Sequence, residues 1–430
     1  MSLLLGSMRH HIPGYKELTS KKAILEVNAG PQVFIPMFAS HSTQFEILVQ
    51  EGDHVKVGTK IAVCKDRMEI PIYSSVSGTV KGVQKIMHMS LKPLDHVVIE
   101  NDGKMERELP FQPLDYQTAT REELISFMKE AGIIGQGGAG FPTYVKYQSA
   151  KDIKKLIIDA AECEPYITAD HIAMENHLDE ILVGILAMRK MAQAEEAVIA
   201  IKKTHTEMIK KVEAAVANIN GVRVLAVPDV YPIGWERALV RYVMKKDYQK
   251  LPSEAGAIVN NVSTAYAFAN ALLHGEPIIT ALMTVSGNAV KEPVNVHCPV
   301  GVPAGELIEA CGGYTCEDVK LIAAGAMMGK TIVNDKFVAE RQMNAITVLA
   351  TKAYDSVACM RCGQCCDVCP VGLQPVRIVQ SAKAKNQAMM EKLHAMDCIE
   401  CGLCAYICPS RLDVTENVRK AKRQLAMAKK

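Results

Sequence analysis

Two cysteine runs near the C-terminus constrain this chain more than any other feature of its sequence. Each run has the spacing Cys-x-x-Cys-x-x-Cys-x-x-x-Cys-Pro, and together they supply Cys359, Cys362, Cys365, Cys369, Cys398, Cys401, Cys404 and Cys408. Three thiols at successive three-residue steps converge within one tight loop, while the fourth lies beyond it. A segment built in this way is expected to fold around a multinuclear metal centre.

The spacing matches the pattern of paired [4Fe–4S] clusters, in which the fourth cysteine of each run ligates the other cluster. The prediction is therefore that cluster one takes Cys359, Cys362, Cys365 and Cys408, and cluster two takes Cys398, Cys401, Cys404 and Cys369. Zinc is the alternative, but zinc motifs pair two cysteines with two distant ligands. Cys366 is expected to be an unliganded neighbour, because the standard ligand set is already complete.

Composition agrees with reduced, ligating cysteines in a multidomain globular protein. The 430 residues are 49% hydrophobic and 22% charged. The formal net charge of +2 does not indicate a nucleic-acid-binding protein. No apolar run reaches the roughly 18–20 residues that span a bilayer, and Met1–Gly6 is too short for a signal-peptide core. The sequence therefore predicts a cytoplasmic protein without a transmembrane segment.

Short apolar runs and turn residues from Ile35 to about Asp102 predict a small β domain. This segment resembles the barrel-sandwich fold of lipoyl and biotinyl carriers. Those carriers attach their prosthetic group to a lysine in a turn where this chain has Arg67. The domain is therefore interpreted as a docking or structural module.

The middle of the chain alternates between strand and helix patterns, which is typical of an α/β domain. Thr120 and Glu123 form a capping box ahead of a short helix that Gly132 ends. The predicted strands are Leu156–Ile158, Ala197–Ile201 and Val222–Val227, and the predicted helices lie around Met174–Met191 and Glu207–Ile219. A β-rich insert follows from about Ile278 to Val333, and Val376–Ala395 is predicted to be helical.

A glycine-rich stretch, Gly135-Gln-Gly137-Gly138-Ala-Gly140, follows the first predicted helix. It is not a Rossmann fingerprint, because a strand would have to precede it. Four glycines in six residues let backbone amides approach an anionic or planar ligand, although a plain flexible loop is the alternative.

This stretch and four later elements resemble the FMN- and NADH-binding subunit of respiratory complex I. The later elements are Lys146, Glu162-Cys-Glu164-Pro165, the group Tyr231, Gly234 and Glu236, and Val259-Asn260-Asn261-Val262-x-Thr264. The resemblance implies that FMN is held by Gly135, Gly137, Gly138, Lys146, Asn260, Asn261 and Thr264. Glu162 and Glu236 would face the nicotinamide nucleotide, with Glu164, Tyr231 and Gly234 in the same site. A carboxylate at the ribose disfavours the 2′-phosphate of NADP.

The order of parts resembles the C subunit of the Rnf-type ferredoxin:NAD oxidoreductase. It implies an α/β multidomain protein with four domains: a carrier-like barrel-sandwich domain (1–112), an FMN/NADH-binding α/β domain (113–277), a β-rich, β-grasp-like insert (278–345) and a helical ferredoxin-like domain with two [4Fe–4S] clusters (346–430). Compared with the family, Asp159 replaces an asparagine, Trp235 replaces a small residue or glutamate, and Ala324–Gly329 replaces a Gly-Gly-Pro-Met-Met-Gly stretch.

The expected function is electron exchange between NAD(H), FMN and two clusters, with no side chain acting as acid, base or nucleophile. The partners would be other subunits of an ion-translocating membrane complex, on the cytoplasmic face of the membrane. One alternative is a soluble NADH-dependent reductase serving a corrinoid or proline-reductase-type enzyme. Another is a non-catalytic iron–sulfur scaffold without FMN.

The C-terminal segment carries basic residues without acidic ones: Arg419, Lys420, Lys422, Arg423, Lys429 and Lys430. A solvated helix end is the simpler interpretation, because basic side chains favour helix C-termini. The alternative hypothesis is attachment to an acidic partner or to an anionic membrane face.

Overall fold

A computed structural model describes residue 6, residues 8–40 and residues 42–428. Most of the segment Met1–Gly6, and Lys429 and Lys430 of the basic tail, therefore lie outside the described residues. Among the helices that are described, none is both long and apolar enough to cross a membrane.

The amino-terminal β domain consists of two facing antiparallel sheets, as predicted. After a short strand β1 (Leu25–Glu26), its strands are β2 (Gln32–Pro36), β3 (Phe45–Ile47), β4 (His54–Val55), β5 (Lys60–Cys64), β6 (Ile70–Tyr73), β7 (Gly78–Met87) and β8 (Pro93–Asn101). One sheet has the order β2-β8-β7-β4 and the other β3-β5-β6. Alternate residues such as Val33 and Ile35 are fully buried between them. Arg67 lies in the turn between β5 and β6.

The central α/β domain has a four-stranded parallel sheet in the order β11-β10-β9-β12. Its elements are α1 (Arg121–Glu130), α2 (Thr143–Gln148), β9 (Lys155–Ala160), α3 (Ala169–Asn176), α4 (Leu178–Ala192), β10 (Glu196–Lys202), α5 (Thr206–Val216), β11 (Val222–Val227), α6 (Glu236–Met244), β12 (Ala257–Asn261) and α7 (Val262–His274). The three predicted strands and the capping box of α1 are confirmed. The helical pattern around Met174–Met191 is divided between α3 and α4 at His177.

The β-rich insert is a mixed sheet with one helix. It contains β13 (Thr280–Ser286), β14 (Val294–Pro299), α8 (Ala304–Ala310), β15 (Val319–Ala323), β16 (Lys330–Ile332) and β17 (Ala345–Ala350). The strand order is β1-β14-β13-β17-β15-β16, with β13 and β17 parallel. The insert shares one hydrophobic core with the amino-terminal β domain, so these two parts of the chain stabilise each other.

The cysteine-rich domain is made of short helices around its own apolar core. They are α9 (Gln364–Asp367), α10 (Pro375–Lys383), α11 (Gln387–Lys392), α12 (Leu403–Tyr406) and α13 (Val414–Ala428). The helix predicted over Val376–Ala395 is confirmed for most of its length but is divided into α10 and α11, because Lys385 adopts a left-handed conformation (φ 50°) and Asn386 caps a new helix through its side chain.

Candidate functional site

A cavity of about 480 Å³ lies below the glycine-rich loop of the central domain. Strands β9 and β12 are parallel neighbours, so their carboxyl ends meet at one edge of the sheet and open into this cavity. The start of α6 closes the opposite side. Residues that line the cavity include Gly135, Gly137, Gly138, Lys146, Asp159, Glu162, Glu164, Gly234, Trp235, Glu236, Asn260, Asn261 and Thr264.

Two hydrogen bonds fix the glycine-rich loop over the cavity. The amide of Gln136 donates to Thr264 Oγ1 at 2.9 Å, and that of Gly137 donates to the carbonyl of Gln342 at 3.1 Å. Gly137 has φ of 70°, a conformation that favours glycine. A Cβ added to Gly138 would meet only open space. The loop therefore presents backbone to the cavity without side chains in the way.

Lys146 and Asn260 bring polar atoms to the inner wall. Lys146 Nζ donates to the carbonyl of Val259 at 2.6 Å, and burial lowers the pKa of its ammonium group while Glu236 opposes that shift. The side-chain amide of Asn260 donates to the hydroxyl of Tyr147. Asn260 Oδ1 is buried without a hydrogen-bond partner. An unsatisfied buried acceptor in a cavity calls for a donor from a ligand or water.

Glu162 also has an unsatisfied oxygen atom. Its Oε1 accepts from the amide of Asp170 at 2.8 Å, whereas Oε2 is buried without a hydrogen bond, 3.8 Å from Lys16 Nζ. Burial raises the pKa of Glu162 to about 8, and Lys16 opposes that shift. Lys16 comes from the amino-terminal segment and donates to the carbonyls of Glu162, Glu164 and Ile167. It thereby fixes the loop after β9.

Asp159 lies at the end of β9 and faces the same cavity. Its Oδ1 accepts from the amide of Ala161 at 3.0 Å. Burial raises the pKa of Asp159 to about 7, and the nearby carboxyl group of Asp170 raises it further. Gly234 packs so closely that an added Cβ would lie 3.2 Å from Asp159 Oδ2. Near neutral pH this carboxyl group is thus divided between its neutral and charged forms.

Glu164 connects the cavity to two other domains. Its carboxylate accepts from the amides of Met327 (2.9 Å) and Met328 (3.2 Å), which belong to the turn after β15. The hydroxyl of Tyr231 lies 2.9 Å from Glu164 Oε1 and 2.9 Å from the carbonyl oxygen of Cys401. Burial is the main cause that raises the pKa of Glu164. Tyr231 is itself buried, and through these two contacts its hydroxyl connects the cavity wall to the second cysteine run.

The turn between β15 and β16 is packed tightly into this junction. A Cβ on Gly325 would lie 2.2 Å from Glu164 Oε2, and a Cβ on Gly402 would lie 2.7 Å from the carbonyl oxygen of Met327. Trp235 lines the cavity and also packs against the core of the cysteine-rich domain. The cavity and the second cysteine run are therefore direct neighbours.

The fourth cysteine of the first run lies among the thiols of the second run. Cys369, Cys398, Cys401 and Cys404 line one apolar pocket. Burial raises the pKa of the Cys401 thiol to about 12, and the thiols of Cys404, Cys369 and Cys398 are close enough to raise it further. The grouping of these four thiols is that of the predicted cluster two.

The cysteines of predicted cluster one are more exposed. Cys359 and Cys362 are exposed, while Cys365 and Cys408 are partly buried. The amide of Val357 donates to the carbonyl of Ser410 at 3.2 Å, and Ser410 Oγ donates to the carbonyl of Ala358. These bonds place the start of the first run beside the end of the second, as a crossed ligand pattern requires.

Several residues that shape the site were not identified from the sequence. Lys16 and Asp170 carry no motif, and their roles depend on packing between distant segments. Asp170 Oδ1 accepts from Ser263 Oγ at 2.6 Å, and its Oδ2 accepts from Asn261 Nδ2 at 2.8 Å. Asn344, which directly precedes β17, also lines the cavity.

The basic residues of the last helix are less free than the sequence suggested. Arg419 and Lys422 form ion pairs with Glu400 at 3.0 and 2.6 Å, and Arg423 lies 3.8 Å from Glu416. Lys429 and Lys430 are outside the described residues. The described part of the tail is thus held against the cysteine-rich domain.

Comparisons with known proteins cover almost the whole chain. Residues 10–104 match the family described as RnfC Barrel sandwich hybrid domain, and residues 128–270 match the Nuo51 FMN-binding domain. Residues 282–331 match the SLBB domain, and residues 358–412 match the 4Fe-4S dicluster domain. The predicted barrel-sandwich and mixed α/β classes are confirmed.

Similar full-length proteins carry related names. The C subunit of the Na(+)-translocating ferredoxin:NAD(+) oxidoreductase complex of Acetobacterium woodii is 32% identical over 96% of this chain and 96% of its own length. The proton-translocating counterpart of Clostridium ljungdahlii is 32% identical over 90% of this chain and 86% of its own. A solved NAD+-reducing [NiFe]-hydrogenase in the air-oxidized state matches over 74% of this chain and 66% of its own with a TM-score of 0.51, and at 18% identity it shows a shared fold alone.

Proposed function

The chain belongs to the family of C subunits of ion-translocating ferredoxin:NAD(+) oxidoreductase complexes, and we propose that its 480 Å³ cavity binds FMN and receives NAD(H) beside two [4Fe–4S] sites. It is an oxidoreductase subunit that carries electrons within such a complex, and its partners are the other subunits. The complex would hold it as a peripheral subunit on the cytoplasmic face of the membrane.

One observation carries the FMN assignment. The glycine-rich loop, Asn260 and Glu162 line one cavity, and Asn260 Oδ1 and Glu162 Oε2 are buried without hydrogen-bond partners. The amides of Gly135, Gln136 and Gly137 already donate within the protein, so a phosphate would be bound by the other backbone amides of the loop. The unpartnered oxygens suit the N–H and O–H groups of a flavin and a ribose. The residues that line this cavity therefore fit FMN.

The chain's own residues bind and orient these groups. Gly135, Gly137 and Gly138 would hold FMN together with Lys146, Asn260, Asn261 and Thr264. Glu162, Glu236 and Gly234 would face the nucleotide. Glu164 and Tyr231 belong to the same motifs, but their polar atoms are already engaged within the protein. We assign them to the wall of the site.

When bound, FMN and the clusters supply the exchange of one hydride for single electrons. The proposed ligands of cluster one are Cys359, Cys362, Cys365 and Cys408, and those of cluster two are Cys398, Cys401, Cys404 and Cys369. The second run adjoins the cavity through Tyr231, and Cys359 and Cys362 of the first run are exposed. The inner site is therefore the more shielded one, and the outer site would be accessible to a partner.

The proposed domain limits remain 1–112, 113–277, 278–345 and 346–430, with β17 of the insert sheet continuing to Ala350. A β-grasp-like insert is supported by the strand order β14-β13-β17-β15 with the parallel pair β13 and β17 at its centre. The helix α8 follows the β13-β14 hairpin, as that arrangement requires.

Anaerobic reconstitution tests this function. The chain should take up one FMN and about eight iron and eight sulfide, because two four-cysteine clusters are proposed. NADH should then bleach the flavin absorbance, and an Asn260→Leu variant should bind FMN more weakly, since it removes the acceptor that the ligand would satisfy. Zinc uptake without iron, or unchanged FMN affinity in Asn260→Leu, would contradict the assignment.

A further inference from the structure

A second and larger cleft, of about 880 Å³, separates the insert from the cysteine-rich domain. Strands β15 and β16 and the turn between them form one wall, and α12 and α13 form the other. Gly402, between Cys401 and Cys404, lines its floor. The cleft thus lies outside the FMN cavity, next to the thiols of the second run.

Positive charge predominates in this cleft. Its basic side chains are Lys320, Lys330, Arg419, Lys422 and Arg423, against the acidic side chains Glu400, Asp413 and Glu416. Glu400 is already shared by Arg419 and Lys422. The lining therefore has two more cations than anions, and a concave surface concentrates the resulting field.

Lys330 and Lys320 are the lining cations that have no carboxylate within ion-pair distance among the described residues. Of the two, Lys330 is half-buried and Lys320 is exposed. Burial lowers the pKa of Lys330, and the neighbouring Arg419 and Arg423 lower it further although Glu400 opposes them. A half-buried ammonium group beside two guanidinium groups favours an incoming anion.

The same cleft exposes apolar side chains. Leu91, Met396 and Tyr406 line it with 43%, 44% and 51% of their surfaces accessible. Tyrosine, methionine and arginine are the residue types enriched in protein interfaces, and this cleft presents all three. A free phosphate ion would leave the exposed apolar side chains uncovered. The flat plane of a membrane would not reach Lys330 inside the cleft.

We propose that this cleft binds an acidic segment of a partner protein, with its carboxylates on Lys330 and Lys320 and its apolar side chains on Met396 and Tyr406. The basic residues of α13 that line the cleft are paired with Glu400 and Glu416 and add to its positive field, so they serve protein docking rather than membrane attachment. A segment held here lies beside the second cysteine run and leaves the exposed thiols of the first run free.

Binding of a short fluorescein-labelled peptide of alternating glutamate and leucine to the full-length, reconstituted protein tests this surface. Fluorescence anisotropy at low salt should give saturable binding that weakens as salt is added. Lys330→Glu should weaken it by about two- to fivefold, the upper part of the range for one exposed ion pair. Lys320→Glu, a change on a solvent-facing strand position, should act in the same direction. Lys383→Glu is the matched control, because Lys383 is exposed on α10 of the same domain and does not line the cleft.

The alternatives have their own measurements. Peptide binding that is unaffected by both Lys330→Glu and Lys320→Glu would overturn the proposal. Competition by inorganic phosphate as effective as by unlabelled peptide would assign the cleft to a small anion. Lys330-dependent binding to phosphatidylcholine–phosphatidylglycerol vesicles without peptide binding would assign it to a membrane. NADH-dependent dye reduction should persist in all variants, so failure of this proposal is separable from failure of the FMN assignment.

Discussion

Glu164→Gln should loosen the junction between the FMN cavity and the second cysteine run. The carboxylate accepts three hydrogen bonds, from Tyr231 Oη and the amides of Met327 and Met328, on two oxygens. A glutamine keeps one oxygen and turns an NH2 group toward a backbone donor. Either the part-buried amide of Met327 or the more exposed amide of Met328 then loses a charged acceptor, at about 1–3 kcal/mol. The turn after β15 should therefore open more often.

Amide hydrogen exchange measures this directly. A loss of about 1–3 kcal/mol corresponds to roughly five- to 150-fold faster exchange at Met327 and Met328, provided that exchange occurs by local opening. FMN affinity should change by less than about twofold, because the carboxylate oxygens of Glu164 already accept hydrogen bonds from within the protein. After mixing with NADH, bleaching of iron–sulfur absorbance should lag further behind bleaching of flavin absorbance than in the unmodified protein.

Tyr231→Phe is the companion variant, since it removes only the hydroxyl that reaches Glu164 and Cys401. Residues in one hydrogen-bond network couple by about 0.5–3 kcal/mol in a double-mutant cycle. Additive effects of the two changes on unfolding free energy, or unchanged exchange at Met327 and Met328 in Glu164→Gln, would refute this account of the junction. A large loss of FMN affinity would instead show that Glu164 contributes to ligand binding.

Three further changes have defined outcomes. Asp159→Asn should raise the unfolding free energy, and the gain should grow as pH rises from about 4 to 7. The reason is that the pKa of Asp159 is raised to about 7 in the folded protein, so the buried acid destabilises the fold over that range. Urea unfolding at several pH values should show a gain of up to about 4 kcal/mol, and a pH-independent gain would contradict the assigned pKa. Ala324→Gly should stabilise the protein by about 0.5–1 kcal/mol in the same assay, because Ala324 has φ of 76° and an alanine in the left-handed region is strained. Destabilisation would mean that the methyl group of Ala324 has a packing role. Cys369→Ser should remove the EPR signal of the second cluster and about half of the iron, whereas selective loss of the first cluster would show that the ligands are not crossed.

The sequence was informative where structure depends on neighbours in the chain. The capping box of α1 and the strands β9, β10 and β11 follow from local patterns, and the structure confirms them. The helical pattern over Val376–Ala395 is confirmed as two helices rather than one. The backbone leaves the first helix at Lys385, and Asn386 caps the start of α11.

Contacts between distant segments could not be predicted from local patterns. Lys16 reaches the loop after β9 from a segment far earlier in the chain, and no motif marks it. The basic residues of α13 looked unpaired because their main carboxylate, Glu400, precedes Arg419 by 19 residues and is brought close only by folding. Similarly, Glu164 belongs to a recognisable motif, but the motif does not predict its hydrogen-bond partners in the insert.

The two cysteine runs have the same spacing, but the fold gives them different surroundings. Cys401 and Cys404 are buried under the junction with the central domain, whereas Cys359 and Cys362 are exposed on a stretch without regular secondary structure. Solvent exposure and hydrogen bonding to the sulfurs are among the factors that set the reduction potential of an iron–sulfur cluster. The asymmetry therefore comes from the domains packed around the second run, not from the motif. In the proposed arrangement, the buried cluster site is the one next to the proposed FMN cavity, and the exposed cluster site is the one that a partner's redox centre would approach.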